Sequence, residues 1–147
     1  MLPDFDSDGD LPPGIHTASV AEIKARFATF RTSDVRLRLL ATLDRLLEMA
    51  RVSGIVNRIV VGGSYVTANP EPNDIDVVIL LSPEIELSQL TPQQYNVARR
   101  TALRRVLKGA DLDVIVARDG SSQAEKAVEF FQTNRDNKSV GVVEVSL

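Results

Sequence analysis

Residues 61–79 read Val-Gly-Gly-Ser-Tyr-Val-Thr-Ala-Asn-Pro-Glu-Pro-Asn-Asp-Ile-Asp-Val-Val-Ile. A short apolar run, Arg58-Ile-Val-Val61, enters the turn Gly62-Gly63-Ser64. After nine intervening residues, 65–73, the pair Asp74 and Asp76 opens a second run rich in Val and Ile, Asp74–Leu81. The first run reads as a strand, Tyr65–Ala68 as one or two helical turns, and Asn69-Pro-Glu-Pro-Asn73 as a loop, because two prolines cannot stay in a helix. The second run reads as another strand. Carboxylates two residues apart on a strand lie on one side of it. Two acids held side by side repel, so this pair calls for a cation. A divalent metal carrying a nucleoside triphosphate is the natural candidate.

Outward from this core, the longest signal is the stripe Val35, Leu39, Leu40, Leu43, Leu46, Leu47 and Ala50, which predicts a helix to about Val52. Thr32, Ser33 or Asp34 can cap it, and Gly54 ends it. A short helix over 20–31, with Ile23, Phe27 and Phe30 at helical spacing, precedes it. Thr91-Pro-Gln-Gln94 is a helix start with a capping box, and that helix is expected to run to Lys108 before Gly109. A third strand follows over Asp111–Ala117. A helix capped by Ser122 and Glu125 and lined by Ala124, Val128 and Phe131 comes next, then a last strand over Val140–Val145. The order predicts a layered α/β (α+β) domain. The link between the first two strands is too short for a parallel crossover, so a mixed β-sheet of three to five strands is expected, with helices packed against it.

The chain has 147 residues, enough for one domain with a core. Residues 1–14 hold three prolines, two glycines and the alternating Asp4, Asp6, Asp8 and Asp10. They read as an extended or disordered segment ahead of a single domain over 15–147. The aspartate spacing has a faint likeness to a calcium loop, but the later Glu and flanking helices of such a loop are missing. Leu11-Pro-Pro-Gly-Ile-His16 reads as a fixed turn leading into the domain. With no cysteine, disulfides, thiolate zinc sites and thiol nucleophiles are excluded, and a single histidine excludes a His-rich metal centre. The net charge of −3 argues against a general nucleic-acid coat protein. No apolar run is long enough to span a membrane, and the acidic start lacks a signal peptide's basic and apolar regions, so a cytoplasmic location is expected.

Within this frame, Gly62 and Gly63 remove side chains where the backbone bends or approaches a ligand. The Ser64 hydroxyl and nearby backbone N–H groups can hold phosphate oxygens, although Gly-Gly-Ser also serves as a plain strand-to-helix turn. Asp76 sits between Ile75 and Val77 ahead of a continuous apolar run, where an acid is costly without a partner. A third acid comes from Asp111 or Asp113. Asp113, between Leu112 and Val114, lies inside its strand, whereas Asp111 lies at the edge where water reaches it, so Asp113 is the better candidate. Three such carboxylates can hold two Mg²⁺ ions at the roughly 3.5–4 Å separation of two-metal phosphoryl chemistry.

Gly63-Ser64, Asp74-Ile-Asp76 and the later apolar-Asp113-apolar strand resemble the minimal nucleotidyltransferases of the DNA polymerase beta superfamily. The resemblance covers about residues 55–117. Leu11-Pro-Pro-Gly-Ile-His16, Gly63-Ser-Tyr-Val-Thr67, Pro72-Asn-Asp-Ile-Asp-Val77 and the stretch Phe131 to Glu144 with Arg135 extend it. Together they look like a group of small bacterial nucleotidyltransferase-like proteins. The resemblance implies that Asp74 and Asp76 hold Mg²⁺ (or Mn²⁺) and the triphosphate, that Asp113 helps deprotonate an attacking hydroxyl, and that Gly62, Gly63 and Ser64 hold the nucleotide. It implies transfer of a nucleoside monophosphate from an NTP such as ATP. The acceptor would be a protein, as in antitoxins that modify a partner toxin, or a tRNA 3′ end, as in related toxins; phage defence is a further setting. Minimal members often act with a partner protein. The alternative is a binding or regulatory module that keeps this fold without catalysis.

Other residues carry weaker signals. Arg99, Arg100, Arg104 and Arg105 form either a polyanion site or a solvated helix face. Arg135 and Lys138 can reach a triphosphate if their loop folds over the cleft, or can simply flank an exposed turn. His16 reads as structural beside Pro12-Pro13, and Tyr65 either stacks on a base or packs.

Overall fold

The computed structural model describes residues 1–28, 34–108 and 111–147. In chain order its elements are β1 (Gly14–Ala18), α1 (Val20–Phe27), α2 (Val35–Ser53), β2 (Val56–Gly62), β3 (Ile75–Leu81), α3 (Pro92–Ala98), α4 (Arg100–Val106), β4 (Leu112–Arg118), α5 (Ser122–Phe131) and β5 (Gly141–Val145). The strands form one mixed sheet in the order β1-β5-β2-β3-β4. β2 runs antiparallel to both β3 and β5, while β1 with β5 and β3 with β4 are parallel pairs. The fold is therefore the expected α/β arrangement on a mixed sheet, with five strands.

The apolar run of β3 is buried from both sides, as such runs are in covered sheets. Ile75, Val77, Ile79 and Leu81 face a large core built with α1 to α4, including Leu39, Leu43, Leu46 and Leu47 of α2. Val78 and Leu80 face the other way, into a smaller core with Ala124, Ala127, Val128 and Phe131 of α5. Gly54 ends α2 in the left-handed region at φ 70°, as a C-terminal glycine does. Phe30, Thr32, Ser33 and Gly109 lie outside the described residues, and Asp34 stands at the start of α2 without a side-chain capping bond.

Four local expectations change. β1, read as part of a turn, is an edge strand. It lacks an apolar period because Ile15 faces out and Ala18 faces in. The helix expected over 91–108 begins with the foreseen capping box but breaks at Arg99, whose φ −126° and ψ 120° are extended. The break lets α4 bury Ala102 and Leu103 on a new axis, and neither Gly nor Pro marks it. Ser121, not Ser122, caps α5: its hydroxyl accepts from the Ala124 N–H at 3.1 Å, and no capping box forms. Finally, residues 1–13 carry no helix or strand but are packed. Leu2 and Leu11 are buried, and Arg26 donates to the carbonyls of Leu2 and Pro3. No helix among the described residues is long and apolar enough to cross a membrane.

The cap assignment is tested by thermal unfolding. Ser121→Ala is expected to cost about 1 kcal/mol, while Ser122→Ala stays within about 0.5 kcal/mol of the parent. Equal effects would contradict the assignment.

Candidate functional site

Strand register brings the acids together. The antiparallel ladder places Gly62 opposite Asp76, and the parallel ladder places Asp76 beside Asp113. Paired residues on neighbouring strands share a face, so Gly62, Asp76 and Asp113 form a row on the α5 side of the sheet. Asp74 precedes the strand by one residue and joins the row through the two-residue period. The Ile75 N–H donates to the Asp111 carbonyl at 2.9 Å, which continues the ladder and fixes the entry of both strands. Asp111 itself is exposed.

The two glycines have separate reasons. Gly63 adopts φ +73°, and a β-carbon there would overlap the Asp76 carboxylate. A β-carbon on Gly62 would lie 2.8 Å from Cβ of Phe131, so this glycine lets α5 lie close to the sheet. Ser64 is the second residue of a four-residue 3-10 turn, Gly63–Val66, and is half-buried. A turn this short has little dipole, so its polar capacity lies in the hydroxyl and adjacent amides.

The electrostatics are those of a site short of positive charge. Burial, then the charges of Asp74 and Asp113, push Asp76 up to about 7, with Arg135 pulling the other way. Asp74 is raised by burial and by Asp113 and Asp111, again against Arg135. Asp113 is half exposed and meets Arg100 at 3.5 Å. Arg135 reaches this field from the loop between α5 and β5. That loop is closed by the Asn134 side chain, which accepts from the N–H groups of Asp136 and Lys138, and by a left-handed Asn137 at φ 60°.

Lys138, the other basic residue of the loop, does not face the row. Its ammonium donates to Asp6, Asp8 and Asp10 at 2.7, 2.9 and 3.0 Å. Among the described residues these three are the group whose carboxylate oxygens all lie within 4.8 Å of one another. The ammonium sits where the faint calcium-loop spacing would have put an ion. The Asp74, Asp76 and Asp113 trio is more open than this.

Arg36 is the residue that sequence reasoning missed. It lies on α2 and is fully buried. It donates to the carbonyls of Phe27 (3.1 Å), Tyr65 (2.7 Å), Thr67 (2.7 Å) and Asn69 (2.5 and 3.0 Å), and so shapes the loop between Ser64 and Asp74. Burial lowers its guanidinium to about 10. The available signal was a charged residue three and four positions before Leu39 and Leu40, inside the apolar stripe. Tyr65 packs, fully buried, against Phe27 at 5.8 Å between ring centres. His16 Nε2 lies 2.6 Å from the Pro12 carbonyl, in keeping with a structural role.

The chain belongs to the family described as "Family of unknown function (DUF6932)", which it matches over residues 3–146. No curated protein and no solved structure matches it.

Two measurements check this geometry. Asp76 holds a proton in the folded chain that the unfolded chain gives up near its ordinary value of 3.8. Without divalent metal, stability should therefore fall as pH rises from about 4 to about 8. Asp6 and Asp119, held low by Lys138 and Arg58, titrate beneath that window. Asp76→Asn should flatten the slope and, near pH 8, add on the order of 1–3 kcal/mol in urea unfolding. An unchanged slope would contradict the burial of Asp76. Separately, Arg36→Met should cost about 3 kcal/mol or more by leaving carbonyls unpaired, and Arg36→Lys should recover only part of that. Wild-type stability in Arg36→Met would refute its role in holding the loop.

Proposed function

We propose that the chain is a nucleotidyltransferase dependent on Mg²⁺ or Mn²⁺, which transfers a nucleoside monophosphate from an NTP to a hydroxyl. The observation that carries this reading is the in-register row of Asp76 and Asp113 with Asp74 beside it, next to a Gly63-Ser64 turn. The donor set fits the metal. All donors are hard carboxylate oxygens, the choice of Mg²⁺ and Mn²⁺. Burial and the neighbouring carboxylates raise the proton affinity of Asp74 and Asp76, a cost that a bound cation would relieve, and the side-chain-free Gly63 leaves room for the Asp76 carboxylate. The order of these residues matches the pattern of the polymerase beta superfamily, which supports the same reading.

Asp74 and Asp76 would hold the metal, with Asp113 contributing from the neighbouring strand. When bound, the metal polarises the α-phosphate and stabilises the leaving pyrophosphate. The chain's own groups do the rest. Ser64 and the Gly62-Gly63-Ser64 backbone hold phosphate oxygens, and Arg135 adds positive charge to the same field. Asp113 accepts the proton of the acceptor hydroxyl as its oxygen bonds to the α-phosphorus and the bond to the β-phosphate oxygen breaks. A net charge of −3 favours a protein hydroxyl over a tRNA 3′ end as acceptor. A cytoplasmic setting with a partner protein, as in toxin–antitoxin pairs or phage defence, fits this reading.

One observation favours the second reading, a non-catalytic module acting through a partner. Asp113 is paired with Arg100, a neutralisation that a metal site would have to displace. The two are separated by incubating the protein with each α-labelled NTP, Mg²⁺ and a cell lysate. The transferase should label one macromolecule, and Asp76→Asn and Asp113→Asn should abolish the label. Ser64→Ala should weaken NTP binding by about 1.5–3 kcal/mol. Label transfer that survives Asp76→Asn ends the catalytic assignment, and no thermal shift with any NTP and Mg²⁺ or Mn²⁺ favours the module.

A further inference from the structure

We propose that Phe130 is the platform on which the base of the bound nucleoside triphosphate stacks. This inference rests on the nucleotidyltransferase reading and gives that site a base-recognition element. Phe130 is 70 % exposed, whereas the next residue, Phe131, is buried. A large aromatic side chain gains nothing for the fold by standing in water.

Its position follows from the helix period. Ala124, Ala127, Val128 and Phe131 turn toward the sheet. On one flank of α5, Glu129 and Gln132 line a groove with Pro13, Gly14, Ser139 and Val140, on the β1 and β5 side. At 3.6 residues per turn, Phe130 falls on the other flank, toward β3 and β4, the strands that carry Asp76 and Asp113. The end of the helix is also the right one. α5 follows β4 and runs back along it, so its last turn reaches the start of β3 and β4, and Phe131 there meets Gly62, the strand partner of Asp76.

The ring stands edge to face with Phe131, at 5.3 Å between centres and 72° between planes, a contact that favours one orientation. Its helix neighbours Lys126 and Glu129 are polar and exposed. An isolated ring among charges suits a flat ligand better than an apolar protein interface. A nucleobase is such a ligand, joined through one ribose to the phosphates that the carboxylates and Ser64 would hold. Stacking reads no hydrogen-bond pattern, so all bases should be accepted, with the larger purine rings preferred.

The test compares the parent, Phe130→Ala and Phe130→Trp. ATP, GTP, CTP, UTP and inorganic tripolyphosphate are each titrated with Mg²⁺ by calorimetry. Phe130→Ala should weaken NTP binding about 5- to 100-fold while leaving tripolyphosphate binding unchanged. Because the chain has no tryptophan, Phe130→Trp supplies a single tryptophan, whose emission NTPs should quench and tripolyphosphate should not. If Phe130→Ala binds NTPs as the parent does, or loses tripolyphosphate equally, the platform is refuted and the carboxylate site stands. If the parent binds neither NTPs nor tripolyphosphate, the underlying reading fails with it.

Discussion

A guanidinium buried against backbone carbonyls holds the site in place. The segment from Gly63 to Asn73 must bring a serine and an acid to the same end of the sheet, yet its prolines and its short 3-10 turn leave many carbonyls without a ladder partner. Arg36 supplies those partners from inside the fold. Taking a charge out of water is costly, and charge-assisted bonds to several carbonyls offset that cost. Because the Arg36 hydrogen bonds also reach the end of α1 through Phe27, the placement of Ser64 relative to Asp74 is tied to the packing of the first two helices. The site is thus supported from the main core even though its acids face the smaller one.

The chain uses clustered aspartates twice, with opposite electrostatic outcomes. Asp6, Asp8 and Asp10 surround an ammonium, and Lys138 is raised by their company. That cluster is partly balanced from within, and it ties the start of the chain to the loop that carries Arg135. Asp74 and Asp76 are raised instead, because they are partly buried beside like charges whose effect outweighs that of Arg135. Residue type alone does not separate these cases. The separation comes from whether an internal cation sits among the carboxylates or the charge is left for a ligand to balance.

Periodicity made much of this legible. The stripe on α2, the doubly buried run of β3 and the shared side of Asp74 and Asp76 all follow from spacing along one segment. The partnership of Asp76 with Asp113 is different, since it depends on a parallel register between segments far apart in sequence. Asp113 could be ranked above Asp111 because an acid inside an apolar strand is costly, but no local pattern states which strands adjoin. The Gly-Gly pair was legible as a close approach and misleading about its object: Gly62 makes room for Phe131 and Gly63 for Asp76. β1, the break at Arg99 and the buried Arg36 left weak traces, because each is decided by tertiary packing against a modest local preference.

The order of the strands bears on how the chain reaches its fold. β5, last in sequence, lies between β1 and β2, so β1, the first strand, has no place in the sheet until the last has docked. Gly14 pairs with Gly141, nearly the whole chain away. The contacts that close the sheet are therefore among the least local the sequence can make, and forming them exacts a large loop-closure entropy. The antiparallel pair of β2 and β3, consecutive in sequence and joined through residues 63–74, is positioned to form early, and the two outer chain segments to zip together late. Until they do, the β5-facing edge of β2 is left open to pair with other chains.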